Sequence, residues 1–148
     1  MTEAVDMVNK PPHYAGNRWE AIEIIEALGN QFRLGNALKY IFRHKKKGGE
    51  EDLKKARWYL EREFGQKAFT QTDSFDLRFW QANSRDFAES FGIEDMHLIG
   101  AISAISHAHY WAWDRNGIAW REAVHNALTH LNAYLVRVDL NPESPATA

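Results

Sequence analysis

A chain of 148 residues without cysteine is long enough to bury one core without disulfides, and it holds no thiolate for a zinc site. Its net charge of -2 argues against a general nucleic-acid binder, which is usually basic overall. No apolar run approaches the roughly 18–20 residues that cross a bilayer, and Met1 to Val8, carrying Glu3 and Asp6, does not read as a signal peptide, so a cytoplasmic protein with no membrane partner is expected.

Residues 1–10 are polar and aperiodic and are expected to form a flexible arm. Pro11 and Pro12 disfavour helix at the residues before them, so Pro11 to Tyr14 is predicted to be an extended element that lays His13 and Tyr14 across a neighbouring surface. Asn17 is the expected N-cap of a helix running to Leu28, with Gly29 as its stop. Trp19, Ile22 and Ile25 supply its apolar stripe. Glu20, Glu23 and Glu26 lie three apart on its flank, either as oxygen ligands for Mg2+ or as an ordinary solvated face.

Leu34 to Glu63 concentrates the chemistry. Two amphipathic segments meet at Gly48 and Gly49, which predicts a helix, a tight turn and a second helix. Leu34, Ala37, Leu38, Ile41 and Phe42 form the buried side of the first helix, and Asn36, Lys39, Tyr40 and Arg43 share its other face at spacings of three, four and seven. Glu50, Glu51 and Asp52 crowd the second helix start, where the macrodipole favours negative charge. Leu53, Ala56, Tyr59 and Leu60 make its buried stripe.

After a polar connection at residues 66–73, a helix from Phe75 to Phe91 is predicted, capped by Asp73 or Ser74 and ended by Gly92. Asp95 opens a helix from Met96 to about Asp114, apolar nearly all round at Leu98 to Ile105 and therefore expected to be central. The last helix, Ile118 to about Val138, aligns Trp120, Val124, Leu128, Leu131 and Leu135, and residues 141–148 read as a disordered tail. The class is all-α, about six helices arranged as helical hairpins in a small bundle. Residues 11–65 form one region and 66–140 an aromatic-rich region packed on it, in one compact domain. Six tryptophans, five tyrosines and eight phenylalanines exceed what a chain this small readily hides, so a ligand pocket or a homo-oligomer interface is expected.

Neither a P-loop nor GxGxxG, GxSxG or HExxH is present. His107 and His109 are two apart and His125 and His130 five apart, so no i, i+4 metal pair forms within a helix. His97, His107 and His130 read instead as polar members of an aromatic interior. Phosphate needs several positive donors around it, and Lys39 and Arg43 with Lys46 or Lys47 supply them, while Asn36 and Tyr40 add hydrogen bonding and stacking. The alternative for these cations is a solvated helix end that complements the dipole.

The blocks NKPPHY at Asn9 to Tyr14, WEAIEIIEALG at Trp19 to Gly29, LGNALKYIFR at Leu34 to Arg43 and EDLKKARWYLERE at Glu51 to Glu63 resemble a family of short phage proteins labelled nucleotide-kinase-like. The matching positions include His13, Tyr14, Glu20, Glu23, Asn36, Lys39, Tyr40, Arg43, Asp52, Lys55 and Tyr59, and the departure is at His44 and Lys45, where such proteins more often carry a small residue and glycine. The resemblance implies a nucleotide-binding protein of the host-cell cytoplasm that transfers phosphate to deoxynucleoside monophosphates without a P-loop, with a nucleoside triphosphate as donor and Mg2+ as cofactor. Lys39 and Arg43 would then be catalytic, with His13, Tyr14, Asn36, Tyr40, Lys46, Lys47, Lys55 and Tyr59 binding substrate and Glu20 and Glu23 holding the metal. Two other functions use the same residues: non-catalytic sequestration of a nucleotide signal, and hydrolysis by a helical nucleoside-triphosphate pyrophosphohydrolase built on the ExxE of Glu20 and Glu23.

Overall fold

Apolar residues at spacings of three and four dictate helices, and helices are what form. The computed structural model describes residues 7–8 and 12–140, so the expected tail and all of the expected arm except Met7 and Val8 lie outside the described residues. The elements are α1 (Ala21–Ala27), α2 (Phe32–Arg43), α3 (Glu50–Phe64), α4 (Leu77–Asn83), α5 (Phe87–Ser90), α6 (Met96–Trp113) and α7 (Gly117–Leu140), with 3-10 turns at Pro12–Tyr14 and Ser84–Asp86. With α4, the second turn and α5 taken as one interrupted helix, this is the expected six-helix, all-α bundle. Among the described residues the only strand-like pairing is an isolated bridge between Ala15 and Glu20.

Two helical hairpins stack. The α2–α3 pair lies against the α6–α7 pair, α3 on α7 and α2 on α6, with α1 on α2 and α5 on α6. Leu34, Ala37, Leu38, Ile41 and Phe42 of α2 and Leu53, Ala56 and Leu60 of α3 are all buried, as the periodicity requires, while Tyr59 stays half-buried at the edge. Each large apolar side chain sealed in this way contributes roughly 1.5–3 kcal/mol. Trp120, Val124, Leu131 and Leu135 of α7 meet Leu98, Ala101, Ile102, Ile105, Ala108 and Ala112 of α6, whose alanines let the two axes approach closely. The middle of α6 is nevertheless not enclosed on all sides: Ile99, Ser103 and His107 are exposed.

Several local expectations are corrected by longer-range contacts. Pro12–Tyr14 is a 3-10 turn and not an extended element, because the proline φ near −65° suits a 3-10 turn as well as a strand, and a first-turn residue needs no N–H. The first helix starts at Ala21, since the Asn17 N–H donates to the Ser90 carbonyl and the Gly16 N–H to the Trp19 carbonyl, which closes a loop where a cap was expected. The Phe75–Phe91 helix is interrupted at Ser84–Asp86, and Asp76, not Asp73 or Ser74, caps its first part by accepting from the Phe79 N–H.

The aromatic load is largely absorbed internally. Phe75 contacts Trp80, Tyr110 and Trp113, and Trp19 sits edge-on to Phe79 and Phe87. No aromatic side chain between residues 75 and 120 is exposed, which removes that region's surplus as a reason to expect self-association. His107, expected in the interior, is exposed. The fully buried histidine is His109, whose Nδ1 meets the Ile105 carbonyl at 3.0 Å.

Candidate functional site

The hairpin turn sets the geometry of the α2–α3 face. Arg43, in the last turn of α2, donates from Nε and Nη2 to the two Asp52 oxygens at 3.0 Å each. Asp52 also accepts from the Gly48 N–H at 2.9 Å. A Cβ on Gly48 would sit 2.4 Å from Asp52 Oδ1, and Gly49 holds φ 56° and ψ −133°, a conformation open in practice only to glycine, so the glycine pair is what lets the carboxylate close the turn. Asp52 is therefore a buried structural anion, not merely a charge at a helix start.

Arg43 reaches outward with its remaining arm. Its Nη1 donates to the Tyr14 hydroxyl at 2.8 Å, which fixes the Pro12–Tyr14 turn over the end of α2. Burial opposes its charge, but Asp52 and Tyr14 hold its pKa above the usual value. Arg43 thus organises the site more than it offers donors to a ligand.

Around Tyr40 the charges converge. Lys39 Nζ lies 4.5 Å, Arg43 Cζ 4.7 Å and Lys55 Nζ 5.5 Å from its ring centroid, and Tyr40 stacks with Tyr59 at 6.0 Å and 16° between planes. Cations over an aromatic face are held by its quadrupole. Phe32 and Trp58 stand edge-on to Tyr59 at 5.9 Å and 5.0 Å, and Arg62 covers Trp58 at 5.2 Å. Phe32 is 72% and Trp58 53% exposed, the two large aromatics left open to solvent among the described residues. Burial and then the charge of Arg43 lower the Lys39 pKa.

On its other side Lys39 borders a cavity of about 280 Å³ with Tyr14, Glu20, Ala21, Ile22 and Ile25. The 3-10 turn, α1 and α2 thus bring three of the sequence-predicted site residues, Tyr14, Glu20 and Lys39, to one concavity. Among the described residues its lining is largely apolar, and Lys39 is the one cation in it.

The other predicted residues are placed differently. His13 lies against Tyr14, ring centroids 4.4 Å apart, and burial followed by Lys47 and Arg43 lowers its pKa. The Asn36 amide donates to the Phe32 carbonyl at 2.7 Å and so turns back onto its own helix. Lys46 donates to the Ala15 carbonyl and Lys45 to the Gly92 carbonyl, 2.7 Å each, so these two lysines brace the turn; all three of Lys45, Lys46 and Lys47 are exposed. His44 is buried on the Ile41 carbonyl, and burial lowers its pKa. Glu23 accepts from the Glu20 N–H at 2.9 Å in a capping interaction, and of these two carboxylates Glu20 borders the cavity. No group of three or more His, Cys, Asp or Glu side chains suited to a metal occurs among the described residues.

Two features escaped the sequence reading. Phe32 and Trp58 lie outside the polar pattern that singled out Asn36, Lys39, Tyr40 and Arg43, and only their exposure marks them. Arg33 Nε donates to Glu63 Oε1 at 3.1 Å, a second cross-hairpin pair whose carboxylate is 1% exposed and whose pKa burial raises against the opposing charge of Arg33. Arg33 and Glu63 are thirty residues apart, and sequence spacing carries no signal for such a pair.

The fold and site define an all-helical protein with a cationic, aromatic hairpin face. A protein family described as of unknown function (DUF3310) matches residues 8–61, which span the Pro12–Tyr14 turn, α1, α2 and most of α3. The match covers nearly the same stretch as the four sequence blocks and corrects the resemblance drawn from them: the family is one without an assigned activity, and no nucleotide-kinase-like identity follows from it. No curated protein and no solved structure matches the chain. Among the described residues no helix is long and apolar enough to cross a membrane.

Proposed function

We propose that the α2–α3 face binds a nucleotide, its phosphate neutralised by Lys39 and Lys55 beside Tyr40 and its base stacked on the surface formed by Tyr59, Phe32 and Trp58. The observation that carries this reading is the convergence of three cations on the Tyr40 ring next to two exposed aromatics. A solvated helix end needs no exposed phenyl and indole rings, whereas base–aromatic stacking is worth roughly 1–3 kcal/mol per base and suits that surface. Arg43 acts from behind by positioning Tyr14 and the hairpin.

The test is titration of the untagged protein with a panel of deoxynucleoside mono- and triphosphates, with and without Mg2+, read by calorimetry and by quenching of Trp58 fluorescence. Saturable binding that Lys39→Ala and Tyr59→Ala each weaken supports the reading. Absence of binding at millimolar ligand, or binding indifferent to both substitutions, overturns it.

Phosphoryl transfer between two nucleotides is a second reading, favoured by one observation: Lys39 borders both the aromatic surface and the cavity with Tyr14 and Glu20, so donor and acceptor phosphates would share one cation. Chemistry of that kind is mostly positioning and charge neutralisation. Conversion of a deoxynucleoside monophosphate to its diphosphate in the presence of a nucleoside triphosphate separates it from binding alone, and recovery of both ligands unchanged removes it.

A further inference from the structure

Three histidines of the described helical region, His44, His107 and His109, turn Nδ1 onto backbone carbonyls three or four residues earlier, at 2.7, 2.8 and 3.0 Å. His97, near the start of α6, and His130, in the second half of α7, instead point Nδ1 at each other across the hairpin. The two nitrogens are 3.4 Å apart and the rings are tilted by 46°. That separation exceeds the roughly 2.7–3.2 Å of a good N–H hydrogen bond. It matches the edge of a tetrahedron about a metal with bonds of about 2.0–2.1 Å to nitrogen, an edge of roughly 3.3–3.4 Å.

The surroundings fit a held pair. A Cβ on Gly100 would lie 2.8 Å from Cε1 and Nε2 of His130, so the absence of a side chain on α6 is what seats that ring. Asp95 accepts from the His97 and Leu98 N–H groups at 2.8 and 3.1 Å and pairs with Arg137, which anchors the start of α6 and leaves this carboxylate engaged elsewhere. Both histidines are half-buried, so solvent reaches the space between them.

We propose that His97 and His130 chelate one divalent transition-metal ion of the zinc class through their Nδ1 atoms, with water in the remaining positions. Imidazole suits Zn2+, Ni2+ and Cu2+, while Mg2+ and Ca2+ prefer oxygen. The ion clips α6 to α7. The site shares no residue with the α2–α3 face and stands or falls independently of the nucleotide reading. Spacing within one helix gave no hint of it because the two ligands come from different helices.

The test uses untagged protein and the metal alone: Zn2+ by calorimetry and Co2+ by its visible absorption. One ion per chain is expected, with His97→Ala and His130→Ala each weakening binding at least tenfold, and with Zn2+ raising the melting temperature of the wild type but not of His97→Ala. His107→Ala, an exposed histidine on the same helix, leaves binding unchanged. Should His130→Ala fail to fold, His97→Ala at the helix start carries the comparison, with circular dichroism as the check. Equal Zn2+ binding by wild type and His97→Ala overturns the site, as does loss of binding in His107→Ala.

Discussion

Arg43 and Asp52, nine residues apart, meet in a two-point ion pair across the α2–α3 turn, with the Asp52 side chain 1% and the Arg43 side chain 11% exposed. The pair joins the last turn of one helix to the first turn of the next and, through Tyr14, pins the segment that precedes α1. Removing one partner strands a buried charge. Asp52→Ala is therefore expected to lower the unfolding free energy by about 3–5 kcal/mol, whereas the double change Arg43→Met with Asp52→Leu recovers most of that loss. Urea denaturation of the single and double variants, treated as a cycle, measures the coupling.

The glycines of the turn make a companion prediction. Gly48→Ala drives a methyl group into the Asp52 carboxylate, and Gly49→Ala forces an L-residue into φ 56° and ψ −133°. Each is expected to cost about 1–3 kcal/mol. Gly65→Ala, at the C-cap of α3 with only backbone at ordinary contact distance, is expected to stay near wild type. Thermal melts of the three variants rank them, and equal behaviour would refute the special role of the turn.

Lys39 separates binding from folding. It is half-buried, it lies over Tyr40, and among the described residues no carboxylate forms an ion pair with it. Lys39→Ala is expected to leave the helical circular-dichroism spectrum and the melting temperature close to wild type. Nucleotide affinity should fall about tenfold or more, the worth of one charge-assisted hydrogen bond. A Lys39→Ala protein that binds normally places the phosphate elsewhere.

His109 makes stability depend on acid. Complete burial lowers its pKa to about 4 from the ordinary histidine value of 6.5. The folded ring is neutral, so as pH falls below 6.5 the unfolded chain takes up the proton first. The stability this ring provides is complete above pH 6.5 and is lost progressively down to about pH 4, on the order of 3 kcal/mol in total. His44, lowered in the same direction by burial, adds to the same slope. Denaturation midpoints between pH 7 and pH 4 should fall steeply for wild type and less steeply for His109→Phe.

Much of the frame could be read from the chain. The i, i+3, i+4 pattern identified the buried apolar residues of α2 and, apart from half-buried Tyr59, those of α3, Gly48 and Gly49 located the turn, and Asp95 marked the start of α6. Those features depend on contacts a few residues long. The start of α1 was misjudged because the backbone ahead of it answers to a distant partner, the Asn17 N–H donating to the Ser90 carbonyl, and the interruption at Ser84–Asp86 was missed as well.

For the candidate site, helical spacing placed Asn36, Lys39, Tyr40 and Arg43 on one face, and that much the sequence determined. Which of them stay open to a ligand was decided by tertiary packing. Asp52 occupies Arg43 from the facing helix, while Lys39 is left between an aromatic surface and a cavity; the Asn36 amide is engaged locally, by the Phe32 carbonyl of its own helix. Side-chain periodicity says which way a residue points. Only the approach of a second element says whether its charge is already neutralised, and for the same reason His97 and His130 become a pair only once α6 and α7 are side by side.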